Sequence, residues 1–116
     1  MKIGTMKELL NAKVLCCEEN LDKNVFSACG SDLMSDVLAY VKDQAVLLTG
    51  LINPQVIRTA VMMDMICIVF VRSKTPSEEM LRLAEESGIV IMSTDKRLYE
   101  ACGLLYANGL VGNTNE

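Results

Sequence analysis

Short apolar runs alternate along the chain with stretches in which apolar residues recur every three or four positions. The first pattern is typical of strands and the second of amphipathic helices. The richest run, residues 66–71, is bounded by charged residues and predicts a central strand that is covered on both faces. Four further runs predict strands at residues 13–17, 25–29, 45–48 and 89–92.

Five helices are predicted by the helically spaced apolar residues and by residues that favour helix starts. They cover residues 5–10, 32–43, 54–64 and 77–87, and a last segment from Leu98 to Leu105 that Asn108-Gly109 should end. Their predicted N-terminal caps are Thr5, the turn at 30–32, Asn53 ahead of Pro54, Thr75 ahead of Pro76, and residues 93–95. Gly88 is expected at the left-handed C-cap of the fourth helix.

The lengths of the connections predict the topology. Residues 18–24 are polar and too short to hold a crossover helix, so the first two strands are expected to form an antiparallel pair. The second, third and fourth helices each connect two strands, which predicts three right-handed crossovers. We expect one three-layer α/β domain over residues 1–111, a mixed and mostly parallel five-stranded sheet flanked by helices, with residues 112–116 as a frayed tail.

Composition and charge exclude several classes of function. The 116 residues carry a net charge of −4, and their cations are dispersed, with Lys96-Arg97 as the only adjacent pair. Nucleic-acid binders usually carry a basic face, so we expect no nucleic acid as a partner. No apolar window reaches the roughly 18 residues that span a bilayer, and Lys2, Lys7 and Glu8 interrupt any signal peptide. The sequence therefore predicts a cytoplasmic chain without a membrane partner.

The chain lacks histidine and the glycine-rich phosphate-binding motifs on which many catalytic sites depend. The chain has no histidine, which excludes a histidine general base, a histidine metal ligand and a Ser–His–Asp triad. It has neither a G-x-x-x-x-G-K-[ST] loop nor a G-x-G-x-x-G motif. The candidate acids are Asp32, Asp36, Asp43 and Asp64; only the first two would share a helix face, and we interpret all four as solvated surface. We therefore expect a chain that is not an enzyme and uses no cofactor.

The adjacent thiols of Cys16 and Cys17 are the remaining candidate for metal chemistry. A soft metal or an iron–sulfur cluster would suit thiolate ligands, but neighbouring residues of a strand point to opposite faces, and no C-x-x-C spacing occurs. We favour the interpretation that all five cysteines are small, reduced side chains without a metal. The clustered Met62, Met63 and Met65 have two interpretations, core filling, which we favour, and an adaptable binding surface.

Polar residues follow three of the predicted strands, at the strand ends where α/β proteins usually bind their ligands. Each of these segments leads into a helix start with unpaired backbone amides, which attract anions, and Arg72 and Lys74 add positive charge. The candidate ligand-binding residues are Thr49, Gly50, Arg72, Ser73, Lys74, Thr75, Ser93, Thr94 and Asp95. The alternative interpretation is ordinary helix capping by solvated loop residues.

Several of these segments also carry a family resemblance. They are Leu48-Thr49-Gly50, the strand at 68–71, Thr-Pro-Ser-Glu-Glu at 75–79, Leu-Ala-Glu-Glu at 83–86, Gly-Ile-Val-Ile-Met-Ser-Thr-Asp at 88–95 and Tyr-Glu-Ala-Cys-Gly-Leu-Leu-Tyr at 99–106. In this pattern the chain resembles stand-alone members of the DRTGG domain family, a module similar to the N-terminal domain of HPr kinase/phosphorylase. It departs from the family at Val71-Arg72-Ser73, where Thr-Gly-Gly is expected, and at Asn53-Pro54-Gln55, which lacks the Asp-Arg pair.

The resemblance implies a regulatory or dimerising module without the catalytic P-loop half of the kinase. We therefore expect a non-catalytic homodimer that senses an anionic small molecule or a nucleotide at the carboxyl ends of its strands. The alternative is a protein–protein interaction adaptor associated with redox, hydrogenase or phosphotransfer systems. Such an adaptor would show a contiguous exposed apolar patch, expected to include Met62, Met63 and Tyr106.

Overall fold

A computed structural model describes residues 1–40 and 44–111 of the chain. The described part contains five strands, five α-helices and one short 3-10 turn. In chain order these are α1 (Ile3–Leu10), β1 (Lys13–Cys16), the 3-10 turn (Glu18–Asn20), β2 (Ser27–Gly30), α2 (Met34–Tyr40), β3 (Ala45–Thr49), α3 (Pro54–Met62), β4 (Cys67–Phe70), α4 (Glu78–Ser87), β5 (Val90–Ser93) and α5 (Leu98–Ala107). Each of the five predicted strands is found, within two residues of its expected start.

The five strands form one sheet in the order β1-β5-β4-β3-β2. β2, β3, β4 and β5 run parallel, and β1 runs antiparallel to β5, which confirms the predicted mixed, mostly parallel sheet. α2, α3 and α4 pack against one face of the sheet, while α1 and α5 pack against the other. The predicted three layers are therefore present, and the buried side chains of β3 and β4 lie between them.

The predicted pairing of the first two strands is wrong, because β1 and β2 occupy opposite edges of the sheet. Their connection is too short for a helix, but it does not form a hairpin. It passes along the start of α1, where the amides of Ile3 and Gly4 donate to the carbonyls of Lys23 and Leu21 at 3.0 and 2.9 Å. The length of a connection excludes a crossover helix, yet it does not exclude a loop that crosses the end of the sheet.

The same connection explains why the predicted cap of α1 is wrong. The helix begins at Ile3, two residues before the expected Thr5 cap, and its N-cap residue Lys2 makes no side-chain capping bond. The first amides of α1 are satisfied by backbone carbonyls of the connection instead. Contacts with a distant segment of the chain therefore replace the predicted cap by the Thr5 hydroxyl.

The caps of the later helices are partly as predicted. Asn53 caps α3 by accepting from the amide of Gln55 at 2.8 Å, and α5 ends at Asn108 as expected. Gly88 adopts the left-handed conformation at the end of α4, with φ of 73°. α4, however, is capped by Ser77, which accepts from the Met80 amide at 3.2 Å. Thr75 therefore lies outside the helix, in the loop that precedes it.

α2 begins at Met34, two residues later than predicted, so Asp32 lies ahead of the helix and does not share a helix face with Asp36. The predicted C-terminal part of this helix, including Asp43, lies outside the described residues, as does the expected tail at 112–116. Among the helices that the structure describes, none combines the length and the apolar character needed to cross a bilayer.

Candidate functional site

The carboxyl ends of the parallel strands meet at one edge of the sheet. Thr49 at the end of β3 is in register with Phe70 of β4, and Phe70 is in register with Ser93 of β5. The loops that follow these strands, together with the loop after β2, therefore lie side by side. We call this region, residues 31–33, 50–53, 71–77 and 94–97, the carboxyl edge.

Asp32 joins the loops after β2 and β3. Its Oδ1 accepts from the Thr49 hydroxyl at 2.9 Å and from the Gly50 amide at 2.7 Å. Thr49 is completely buried, and its hydroxyl also accepts from the Leu51 amide at 3.2 Å. Asp32 was predicted on a solvated helix surface, and this role was not predicted. Its position directly after a strand end, like that of the other candidate residues, was the signal that could have found it.

Arg72 lies against Gly50 across the carboxyl edge. A Cβ atom at residue 50 would collide with Nη2 of the Arg72 guanidinium and would lie 3.1 Å from its Cζ. Gly50 therefore leaves the space that this side chain occupies. Arg72 itself is exposed, so its guanidinium both contacts the backbone of the β3 loop and faces solvent.

The backbone at Arg72 and Ser73 is left-handed, with φ of 57° and 59°. This conformation favours glycine, since a side chain there crowds the neighbouring carbonyl. These are the positions where the family pattern expects a Gly-Gly pair, and their backbone keeps a glycine-like conformation although the residues differ. The unusual turn directs the Arg72 side chain back towards the β3 loop.

Several backbone amides of the carboxyl edge are already used within the fold. The amides of Arg72 and Ser73 donate to the carbonyls of Lys96 and Thr94, both at 2.8 Å. The Gly50 amide donates to Asp32, as described above. A ligand at this edge would therefore not find these three amides free.

Two of the three candidate residues at the end of β5, Ser93 and Thr94, form hydrogen bonds within the fold. Thr94 is buried, and its hydroxyl donates to the Leu10 carbonyl at 2.7 Å and accepts from the Lys96 amide at 3.3 Å. The Ser93 hydroxyl donates to the Lys74 carbonyl at 2.9 Å. These bonds, together with the position of α5, show that residues 93–95 do not cap the last helix, which begins only at Leu98.

Positive charge at the carboxyl edge comes from exposed side chains. Among residues 1–40 and 44–111, ion pairs form between Lys7 and Glu8 and between Lys96 and Glu100, and neither Arg72 nor Lys74 takes part in one. The N-terminus of α4 adds little attraction for an anion, because its first turn already carries two glutamates. Of the nine predicted residues, Arg72 and Lys74 are therefore the groups best able to attract an anion, while Ser73, Thr75 and Asp95 are exposed beside them.

The Cys16 and Cys17 thiols lie close together, so the prediction that they point to opposite faces is wrong. Their sulfur atoms and a carboxylate oxygen of Glu85 lie within 4.8 Å of one another. Cys17 follows the last residue of β1 and has a left-handed backbone, with φ of 60°, so the alternation of side chains along a strand does not extend to it. Burial raises the pKa of Cys16 above its usual range and that of Cys17 to about 12, and the neighbouring carboxylates of Glu85 and Glu19 act in the same direction.

The expected apolar patch of Met62, Met63 and Tyr106 does not form. Met62 is 68% exposed and Tyr106 is 64% exposed, but Met62 lies on α3 and Tyr106 on α5, on opposite faces of the sheet. Met63 is half-buried against the α3 side of the core, and Met65 is buried there. The interpretation of core filling therefore holds for two of the three methionines.

Comparison with known proteins identifies relatives of this architecture. A family model described as the DRTGG domain matches residues 5–107. No curated protein sequence matches the chain. Among solved structures, the CBS and DRTGG domains of the regulatory region of Clostridium perfringens pyrophosphatase, complexed with the activator diadenosine tetraphosphate, are similar with a TM-score of 0.74 at 16% identity. The match covers 90% of this chain and 45% of that one, so this chain spans less than half of that regulatory region.

Proposed function

Since the chain belongs to the DRTGG domain family, whose model matches most of its length, we propose that it is a regulatory module that binds an anionic small molecule at the carboxyl edge. The preferred ligand class is a nucleotide or another phosphorylated metabolite. Arg72 and Lys74 bind the phosphate oxygens, and the module changes the behaviour of a partner rather than turning over the ligand.

One observation carries this proposal: the exposed Arg72 guanidinium is held against Gly50 by a left-handed turn and makes no ion pair within the described residues. A guanidinium presents a fork of N–H donors that matches two phosphate oxygens. Directing it by backbone conformation lowers the entropy lost on binding. The exposed Lys74 ammonium adds a second cation two residues away.

The similar regulatory region supports the ligand class. Its CBS and DRTGG domains are complexed with diadenosine tetraphosphate, which carries several phosphate groups between two nucleosides. At 16% identity the likeness extends to the fold alone, and the cations of this chain are what favour a phosphorylated ligand. A polyphosphate would suit the exposed Arg72 and Lys74, neither of which forms an ion pair within the described residues.

Isothermal titration calorimetry of the purified chain with ADP, ATP, diadenosine tetraphosphate and inorganic phosphate tests the proposal. We expect binding of at least one phosphorylated compound that weakens as salt is added, because charged groups are screened. Arg72→Gln should weaken this binding about tenfold to a hundredfold, the effect of losing a charge-assisted hydrogen bond of roughly 1.5–3 kcal/mol. Absence of heat with all four compounds would contradict the proposal.

A matched control distinguishes binding at the carboxyl edge from attraction by the overall charge of the protein. Arg82 is also exposed but lies on α4, outside the carboxyl edge. Arg82→Gln removes the same charge and should leave the affinity unchanged within about twofold, since an exposed charge elsewhere on the surface contributes little. Equal weakening by the Arg72 and Arg82 variants would show that net charge, not this site, attracts the ligand.

A second candidate function, assembly through a homodimer, is favoured by the outer face of α5. Tyr99 is 93% exposed and Tyr106 is 64% exposed, and Cys102 and Gly103 lie between them on the same helix. Next to this face, an apolar cavity of about 240 Å³ extends to Gly30 at the β2 edge of the sheet. Exposed aromatic side chains beside a small residue are typical of protein interfaces.

Light scattering tests this second function. If a second copy covers the α5 face, the chain should have the mass of a dimer, and Tyr106→Glu should convert it to a monomer. Met62→Glu, which places the same charge on an equally exposed residue of α3, should leave the dimer intact. A monomeric mass at high protein concentration would contradict the homodimer.

A further inference from the structure

Two adjacent thiols and one carboxylate converge at the end of β1, away from the carboxyl edge. One ligand atom each from Cys16, Cys17 and Glu85 lies within 4.8 Å of the other two. Cys17 is buried and Cys16 is half-buried, while Glu85 is exposed on α4. Residues separated by nearly 70 positions in the chain thus meet at one point, where the end of β1 passes the last turns of α4.

Two irregularities of the backbone produce this convergence. The pairing of β1 with β5 shifts by one residue between Val14 and Cys16, which is a β-bulge. Cys17 then adopts the left-handed conformation, which costs a non-glycine residue free energy. In a regular strand the two thiols would point to opposite faces. Here Cys16 contacts both halves of the core, and its sulfur lies beside that of Cys17.

The surroundings of the thiols favour a cation. The Cys16 thiol donates to the Ile89 carbonyl at 3.3 Å, and the Cys17 thiol lies 3.9 Å from the Ala84 carbonyl. Both carbonyls belong to the C-terminal end of α4 or the residues just after it, where the helix dipole is negative. Glu85 and Glu19 add two carboxylates nearby, and no cationic side chain of the described residues forms an ion pair with either of them.

We propose that Cys16, Cys17 and Glu85 form a binding site for a thiophilic divalent cation such as Zn²⁺. Two thiolates and one carboxylate are ligands that zinc accepts, and a water or a neighbouring carbonyl completes four-fold coordination. Tetrahedral zinc with Zn–S bonds of about 2.3 Å and a Zn–O bond of about 2.0 Å places its ligand atoms about 3.5–3.8 Å apart, so atoms within 4.8 Å of one another need to approach by at most about 1.3 Å. On binding, each thiol releases its proton to solvent and its sulfur forms a bond to the metal, with no change of oxidation state.

The site would connect the end of β1 to α4 in addition to binding an ion. Since β1 is an edge strand that pairs with β5 alone among the described strands, a metal that holds Cys16 and Cys17 to Glu85 restrains this edge against local opening. A metal that binds only the folded chain also raises its thermal stability. Melting temperature is therefore a second readout, independent of any ligand at the carboxyl edge.

Titration of the reduced chain with Co²⁺, a spectroscopic substitute for Zn²⁺, tests the proposal. We expect an intense near-ultraviolet thiolate-to-cobalt absorption that saturates at one ion per chain and disappears when Zn²⁺ is added. Cys16→Ser should abolish most of this absorption, whereas Cys102→Ser, which removes a thiol elsewhere in the fold, should not change it. Absence of the absorption in the unmodified chain, or its persistence in Cys16→Ser, would overturn the site.

A pair of carboxylate variants tests the third ligand while leaving both thiols in place. Glu85→Gln should weaken Zn²⁺ binding about tenfold or more, because an amide is a poor replacement for a charged ligand. Glu86→Gln changes the next residue of α4, which is also exposed but lies outside the cluster, and should leave the affinity unchanged. Zn²⁺ should raise the melting temperature of the unmodified chain and of Glu86→Gln more than that of Glu85→Gln. Equal affinities for the two variants would overturn the role of Glu85.

Discussion

Replacing Thr94 by valine should destabilise the fold because this hydroxyl connects two elements that are distant in sequence. Thr94 is only 2% exposed and follows β5. Its Oγ1 donates to the Leu10 carbonyl in the last turn of α1 and accepts from the Lys96 amide. Valine keeps the shape of threonine but has no hydroxyl, so the substitution removes both bonds with little change in volume.

The two lost bonds set the size of the effect. The Leu10 carbonyl belongs to the last turn of a helix, where backbone partners within the helix are absent, and Leu10 is completely buried. Leaving such an acceptor unsatisfied costs about 1–3 kcal/mol, and losing the Lys96 bond costs roughly 1 kcal/mol more. The free energy of unfolding should therefore fall by about 2–4 kcal/mol, which corresponds to a melting temperature lower by roughly 8–16 °C for a domain of this size.

Urea unfolding followed by circular dichroism measures this change, with Thr94→Ser as the control. Serine keeps the hydroxyl and loses one methyl group, so its cost should be limited to about 1 kcal/mol. The expected order of stability is the unmodified chain, then Thr94→Ser, then Thr94→Val. If the valine variant were as stable as the serine variant, the bond to Leu10 would not stabilise the fold and this reasoning would be wrong.

Three further predictions concern the carboxyl edge and the core. Ser73→Gly should raise the free energy of unfolding by about 0.5–1 kcal/mol, because glycine accepts a φ of 59° without the side-chain penalty; a lower urea midpoint would contradict this. Gly50→Ala should displace the flexible Arg72 guanidinium rather than unfold the chain, so calorimetry should show phosphate-ligand affinity about tenfold weaker with a melting temperature nearly unchanged, and unchanged affinity would refute the proposed contact. Burial raises the pKa of the Cys67 thiol above its ordinary value of 9.0. As pH rises past about 9, the unfolded chain therefore loses this proton while the folded chain keeps it. The free energy of unfolding should fall above that pH. In Cys67→Ala, the free energy of unfolding measured with urea should decrease less between neutral and alkaline pH. An identical decrease in both proteins would show that the Cys67 thiol does not cause it.

The elements that the sequence predicts well are those set by local patterns. The apolar run of β4 lies in the centre of the sheet because an unbroken apolar run must be covered on both faces. Asn53 and Pro54 start α3 as predicted, since the cap and the proline act within one turn. The DRTGG resemblance, carried by segments spread from Leu48 to Tyr106, is confirmed by the match to residues 5–107.

The features that the sequence could not predict depend on contacts between distant segments. Thr5 has the right residue type and spacing for a cap, but the carbonyls of Leu21 and Lys23 satisfy the first amides of α1 instead. The partner of Asp32, Thr49, is 17 positions away and becomes visible only when β2 and β3 are aligned. Likewise, the bulge before Cys16 is a property of the pairing between β1 and β5, and no local pattern around the cysteines predicts it.

The placement of β1 at the edge beside β5 has a consequence for how the chain folds. Lys13 pairs with Ser93, so β1, the first of these five strands to be synthesised, has to wait for β5 before its backbone can be paired. β2, β3, β4 and β5 each join a neighbour that is one crossover away, and they can assemble in order during synthesis. β1 instead closes a loop of about 80 residues, which is a slow, high-contact-order step. We expect its amides to gain hydrogen-exchange protection last during refolding, and chains truncated before β5 to leave this strand available for pairing with other molecules.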